Sequence, residues 1–392
     1  MKHSIRFQTL AFTLMRTALN TMHRMIYPYL AVFGRGLGVD LPAMALAVTA
    51  RSLVGVIGPF LGSVADSRGR KTGMLLGLLL FSLGTGLVVI LPTYPVFVIT
   101  LIIAMFGKYV FDPSMQAYLG DRVLYQRRGR VIAITEYSWS MAFFIGVPVM
   151  GFLIARLGWL APFPLLFLLG TLATLALAWL LPRDPDPDRA SSAFLQNLRS
   201  VLTCRIALLG LAVGLLISAA NEIINLVFGV WMEDSFGLKI AALGVATAVI
   251  GSSELLGETF SVGFTDRLGK PNAIGLGLLV NCLAALALPF LGQTLPGALA
   301  SLFLFYISFE FALVSTLPMM TEIMPSVRAT LMATNIAGHS LGRALGALLA
   351  TPLYTWGGTF PALPNFLLSG LVSILFNFLA LLNGAYLRRR IR

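Results

Sequence analysis

Of the 392 residues, 57% are hydrophobic and 11% charged, whereas a soluble domain carries about 25% charged residues. So much apolar surface excludes a water-soluble globular fold and makes lipid the main solvent. The formal net charge of +12 does not indicate a nucleic-acid partner, because the basic residues sit in short clusters between apolar runs instead of along one polar face.

A helix crosses the hydrocarbon core with about 20 mostly apolar residues. Twelve stretches of that kind fit the chain: 8–33, 42–65, 73–91, 96–120, 131–155, 160–181, 206–231, 240–262, 273–291, 297–322, 329–354 and 363–387. They are numbered here as spans 1 to 12. The expected fold is therefore an all-α membrane protein of 12 transmembrane helices in two six-helix pseudo-symmetric bundles. The first run contains Arg16, His23 and Arg24 and has no small-residue cleavage site, so it reads as a membrane helix and not as a signal peptide. Sharp breaks are expected at Pro92, Pro95, Pro182, Pro325 and Pro361.

Lys and Arg near span ends are retained on the cytoplasmic side. With the N-terminus inside, the inner loops and the two termini hold 20 of the 28 basic residues, and the outer loops keep Arg35, Arg156 and Lys239. The expectation is a multi-pass protein of the plasma (inner) membrane with both termini cytoplasmic. Pro182 to Arg205 is the longest polar stretch, with a Pro/Asp-rich start followed by Phe194, Leu195, Leu198, Val201 and Leu202 at helical spacing. It reads as an interdomain linker, residues 182–205, with a short amphipathic helix on the inner leaflet. The linker divides the chain into an N-terminal bundle, 1–181, and a C-terminal bundle, 206–392.

The two halves match at a fixed offset. Gly62-x3-Asp66-x2-Gly69 after span 2 answers Gly263-x2-Asp266-x2-Gly269 after span 8, and Asp121 with Arg128 answers Glu322 with Arg328. Two parallel repeats with a site between them near the midplane are a construction principle of secondary transporters.

The loop Gly62-Ser63-Val64-Ala65-Asp66-Ser67-Arg68-Gly69-Arg70-Lys71 resembles the signature between the second and third helices of the major facilitator superfamily. Ser67 stands where a basic residue is usual, and the second copy is one residue shorter. The resemblance implies a conformational latch built from Gly62, Asp66, Gly69, Arg70 and Asp121, with Asp266 as the weaker counterpart. A carboxylate near a helix N-terminus is stabilised by the exposed amides, a contact that rocking halves would make and break. The plainer alternative is a basic loop that only fixes orientation. Span 5 contains Ala142-x3-Gly146-Val147-Pro148-x2-Gly151, a partial likeness to a motif of the superfamily's antiporter branches; its Pro is displaced by one position and Met150 replaces a Gly. Small residues also line spans 2 (Gly55, Gly58, Gly62), 8 (Gly244, Gly251, Gly257) and 11 (Gly338, Gly342, Gly346), which the resemblance places, with span 5, where the halves meet. Static close packing and a sliding seam explain them equally well.

Ionisable groups inside the membrane cost a few kcal/mol on insertion scales, so each is a functional candidate. Cations dominate the first half: Arg24 beside His23, Arg51 and Lys108, with Arg16, Asp112 and Glu136 nearer the inside. Carboxylates dominate the second: Glu222, Glu254, Glu258 and Glu310, with His339 and Arg343. In one account the cations attract a polar or anionic substrate group while Glu222, Glu254, Glu310, Asp112, Glu136 or His339 carry protons. In the other the charges neutralise one another, Lys108 with Asp112 at i,i+4 being a ready pair and Arg343 having carboxylates to choose from. Substrate-binding candidates are Arg24, Arg51, Lys108, Tyr27, Tyr137, Trp139, Asn221, Asn225, Tyr306, Asn335 and Arg343, a mixture of apolar wall and few polar anchors suited to an amphipathic organic molecule.

Cys204 and Cys282 are far apart and the three histidines are scattered, which leaves neither a disulfide framework nor a metal motif. No nucleophile–base constellation or nucleotide-binding loop is present, so an enzyme or a primary pump is not expected. The leading expectation is a proton-coupled secondary transporter, an antiporter that exports a small amphipathic organic solute by alternating access. It would use no cofactor beyond a proton gradient. The alternatives are an organic-anion importer or exchanger and a lipid or lysolipid flippase. The partners are a small-molecule substrate and the bilayer, and the resemblance implies a monomer.

Overall fold

The structure is a computed structural model that describes residues 4–61, 69–123, 125–182, 194–358 and 366–391. It is helical throughout, with no strand among the described residues. The first half contains α1 (Ile5–Met25), α2 (Leu30–Leu37), α3 (Leu41–Leu53, continued by the 3-10 turn Val54–Ile57), α4 (Arg70–Ile90) and α5 (Tyr94–Arg122). It ends with α6 (Tyr125–Met141), the π turn Ala142–Gly146, α7 (Val147–Leu157) and α8 (Pro162–Leu180). After α9 (Phe194–Thr203) come α10 (Arg205–Phe236), α11 (Ile240–Leu268), α12 (Lys270–Leu291), α13 (Leu295–Ile323), α14 (Arg328–Gly358) and α15 (Leu367–Ile391).

Helix starts are set by local chemistry. Proline occupies the first turn of α3, α5, α8, α12 and α13, where its missing N–H costs nothing. Asp40 and Thr294 accept hydrogen bonds from Ala43 N and Gly297 N, capping α3 and α13. Gly69 and Gly269 precede α4 and α12 with φ of 96° and 79°, a region that disfavours any residue with a Cβ. The signature glycines are therefore hinges of the same turn in each half.

Element starts repeat through the chain: 5, 41, 70, 94, 125 and 162 are followed by 205, 240, 270, 295, 328 and 367. The packing repeats with them. The α4–α5 hairpin answers α12–α13, α4 on α8 answers α12 on α15, and α1 on α6 answers α10 on α14. The halves meet where α14 lies on α3 and where α11 lies on the π turn and α7.

Ten helices, among the described residues, are long and apolar enough to cross a membrane. The reading of twelve adds two more polar segments, α1–α2 and α14, which carry Arg16, His23 and Arg24, and Asn335, His339 and Arg343. On the outside of the bundle Leu83, Leu175, Trp179, Leu283 and Leu382 are more than half exposed, an apolar girdle that lipid solvates and water would not.

Three expectations need correction. Span 1 is not one helix: it stops at Met25 and restarts at Leu30, because Pro28 has no N–H to continue the ladder. Span 5 is interrupted by the π turn at 142–146, just before Pro148, whose missing donor leaves the Phe144 carbonyl without its usual i+4 partner. The Gly338, Gly342 and Gly346 stripe does not face the other half; it takes the backbone of α10, with Leu211 O, Leu215 O and Ala219 O at successive turns. A Cβ on Gly342 would lie 2.1 Å from Leu215 O, so the stripe binds two helices of one bundle together.

Candidate functional site

Arg24 ends α1, one turn before the Pro28 break, where the carbonyl end of a helix favours a cation. From there its side chain crosses to the second half. Nη1 and Nη2 each donate to one oxygen of Glu254 on α11 at 2.6 Å, and Nη1 also donates to Trp139 O at 3.1 Å. The guanidinium lies 3.4 Å from the centre of the Phe143 ring and 4.4 Å from that of Trp139. Both members of the pair are 3% exposed, so a bidentate ion pair in an aromatic box joins the two bundles.

Below it the first half neutralises itself. Asp112 accepts from Lys108 Nζ at 2.5 Å and Arg16 Nε at 3.0 Å, and Arg16 Nη1 reaches Glu136 at 2.8 Å. Gln116 also donates to Glu136. Asp112 and Glu136 are thus ion-pair partners on the first-half side of the interface.

The second half leaves its carboxylates freer. Glu310 on α13 is buried and forms no hydrogen bond or ion pair among the described residues; it packs against Gly257, one turn from Glu254. Glu258, half-buried, also forms no ion pair among them. Glu222 on α10 receives one hydrogen bond, from Asn225 Nδ2 at 3.4 Å, and its Oε1 has no partner. Asn225 in turn accepts from the Tyr306 hydroxyl at 2.8 Å, while Asn221 Oδ1 is unpartnered.

Arg51, 2% exposed, ends α3 and donates Nη1 to His23 O at 2.8 Å, with its guanidinium 5.2 Å from the Tyr27 ring centre. Its Nε and Nη2 have no partner, nor does His23 Nδ1. A narrow cavity beside them is lined by Leu19, Met22, His23, Arg51, Leu101, Ala104, Met105 and Lys108, all from the first half.

Other candidates fall elsewhere. His339 is held between Ser218 Oγ at 2.8 Å and Asn335 Nδ2 at 3.1 Å, so both ring nitrogens and the Asn335 amide are engaged in packing α14 on α10. Arg343 pairs with no carboxylate among the described residues; it lies 5.7 Å from the Trp139 ring centre. Tyr137 is 47% exposed. At the end of the signature loop, Arg70 Nε donates to Asp121 at 3.2 Å and Lys270 pairs with Glu322 at the equivalent place in the second half. Asp266 is exposed, without an ion pair among the described residues, and Gly62 and Asp66 lie outside those residues.

Sequence reasoning missed several seam residues. Arg35 bonds Glu233 at 2.8 Å across the halves, and the Tyr109 hydroxyl meets Ser340 Oγ at 2.8 Å, against Gly55. Pro28 fits onto Gly229, where a Cβ would come within 2.6 Å of its backbone. A further signal was available in the sequence: Gly229 follows Pro28 by the same offset that relates the two signature loops.

Residues 11–220 match the family model described as Major Facilitator Superfamily. The chain belongs to this superfamily. Over 283 residues it is 25% identical to an uncharacterised MFS-type transporter, YbcL, of Bacillus subtilis (strain 168), covering 72% of this chain and 71% of that one. Its 29% identity to the MFS-type transporter YwfA of the same organism spans 38% of this chain and only 37% of YwfA. The quinolone resistance protein NorA of Staphylococcus aureus (strain MRSA252) is 22% identical over 63% of each chain. Among solved structures, an inward-facing bacterial homologue of the human lysosomal transporter Spinster superposes with a TM-score of 0.78 at 16% identity, covering 98% of this chain and 97% of the other. A D-xylose-proton symporter gives 0.77 at 18% identity, covering 96% and 97%. Members of this superfamily are transporters and not enzymes, and the shared fold is that of a multi-pass membrane protein.

Proposed function

We propose that the chain is a proton-coupled secondary transporter that exports a small amphipathic organic solute by alternating access across the plasma membrane. The observation that carries this reading is the bidentate Arg24–Glu254 pair between the bundles, with the unpaired carboxylate of Glu310 beside it. A proton delivered to this carboxylate cluster weakens Glu254's hold on Arg24, and the halves are then free to part. Coupling a proton to a change in inter-half contact is what an antiporter needs, since the pair can reform only when the proton has left. The likeness to NorA supports export, and the apolar and aromatic surroundings of Arg24 support an amphipathic solute.

The test is accumulation of amphipathic fluorescent dyes and metabolites in proteoliposomes under an imposed pH gradient. The wild type accumulates at least one compound only while the gradient lasts, and Glu254→Gln and Glu310→Gln abolish that accumulation. Gradient-independent movement, or full accumulation in both variants, overturns the coupling.

A further inference from the structure

Charge accounting inside the first half leaves one cation over. Arg16 and Lys108 use Asp112 and Glu136, and Arg24 takes Glu254 from the other bundle. Arg51 has no carboxylate within ion-pair distance among the described residues. A guanidinium buried in the membrane without a counter-charge is costly and is retained where it meets a ligand.

The edge left free decides the chemistry. Nη1 is committed to the His23 carbonyl and the guanidinium carbon lies over the Tyr27 ring, so the unpartnered groups are those of the Nε–Nη2 side. Those two parallel N–H groups match the two oxygens of a carboxylate in a fork-to-fork contact. His23, whose Nδ1 is also unpartnered, lines the same cavity and has a further hydrogen bond to offer. The adjoining walls, Met22, Leu101 and Met105 among them, are apolar; the cavity as it stands holds about one water, so the hydrocarbon or aromatic body of an organic acid is received only as the bundles part.

We infer that the Nε–Nη2 edge of Arg51 anchors the carboxylate of the transported solute, which makes the substrate class an amphipathic organic acid. This rests on the transport reading above and narrows it. Glu222, whose Oε1 is also unpartnered, is the competing partner; if it were Arg51's true counter-charge, an added carboxylate would gain nothing over its amide.

The experiment is a thermal-shift titration of the purified full-length protein with benzoate and butyrate, set against benzamide, butyramide, chloride and nitrate. Benzoate or butyrate raises the unfolding temperature saturably, and the amides and inorganic ions do not. Arg51→Gln weakens carboxylate binding by about 30-fold or more, and Arg51→Lys, which keeps the charge but not the fork, falls between. Ala104→Leu fills the cavity while leaving Arg51 in the sequence and also weakens binding, so the proposal does not depend on one variant folding. Equal shifts by acid and amide, no shift by either acid, equal effects of chloride or nitrate, or wild-type affinity in Arg51→Gln each overturn it. If the acids fail while proton-linked dye accumulation persists, this assignment falls and the transport reading stands.

Discussion

Replacing Glu254 with Gln removes one charge from a pair whose members are both 3% exposed and joined by two 2.6 Å hydrogen bonds. At about 4 Å between charge centres and an effective dielectric of about 20, the attraction amounts to about 4 kcal/mol. Breaking one partner of a buried pair costs about 3–5 kcal/mol, because the other charge is stranded. Arg24 would be stranded against Phe143 and Trp139, whose ring faces offset about 1–2 kcal/mol of that loss. Glu254→Gln is therefore expected to lower stability by about 3 kcal/mol. Arg24→Met costs a similar amount, whereas the double replacement Arg24→Met/Glu254→Met recovers most of the loss, since no charge remains unpaired. The assay is equilibrium unfolding of the purified protein in mixed micelles, read as a double-mutant cycle. A coupling below about 0.5 kcal/mol would refute the claim that this pair holds the bundles together.

Two further outcomes follow from the packing. Gly342→Ala drives a Cβ to 2.1 Å from the Leu215 carbonyl and is expected to cost about 1–3 kcal/mol, while Gly384→Ala, with nothing within 4 Å, is neutral or slightly stabilising; thermal unfolding of the two variants compares them directly. Asp121→Asn and Glu322→Gln break exposed ion pairs, with carboxylates 57% and 61% exposed, so each changes stability by less than about 1 kcal/mol, and a larger loss by the same unfolding assay would show a structural role.

How much of this was legible in the sequence depends on the range of the interaction. Spans, loop punctuation and the half-length repeat are local or periodic properties, and the helix starts at 41, 70 and 94 follow from Asp40, Gly69 and Pro95, as those at 270 and 295 follow from Gly269 and Pro296. The break at Pro28 was written in the sequence but hidden by the apolar run around it. Which charges meet was not legible, because Arg24 and Glu254 are separated by 230 residues and only the docking of two bundles brings them together. The same limit explains Arg343, whose neighbours are set by how α14 turns, and the glycine stripe of that helix, whose spacing announces a smooth face but not which helix it meets. The cavity beside Arg51 combines both kinds: its residue types were visible, its closure by spans 1, 2 and 4 was not.

The central claim, that the bundles move against each other during transport, is tested most directly at Arg35 and Glu233, which join the halves at the far ends of α2 and α10. With native Cys204 and Cys282 replaced by Ser, the pair Arg35→Cys/Glu233→Cys is bridged by a short reducible crosslinker in proteoliposomes. The account predicts that transport stops when the bridge forms and returns when it is reduced. Crosslinked protein that transports at the rate of the reduced form would contradict it.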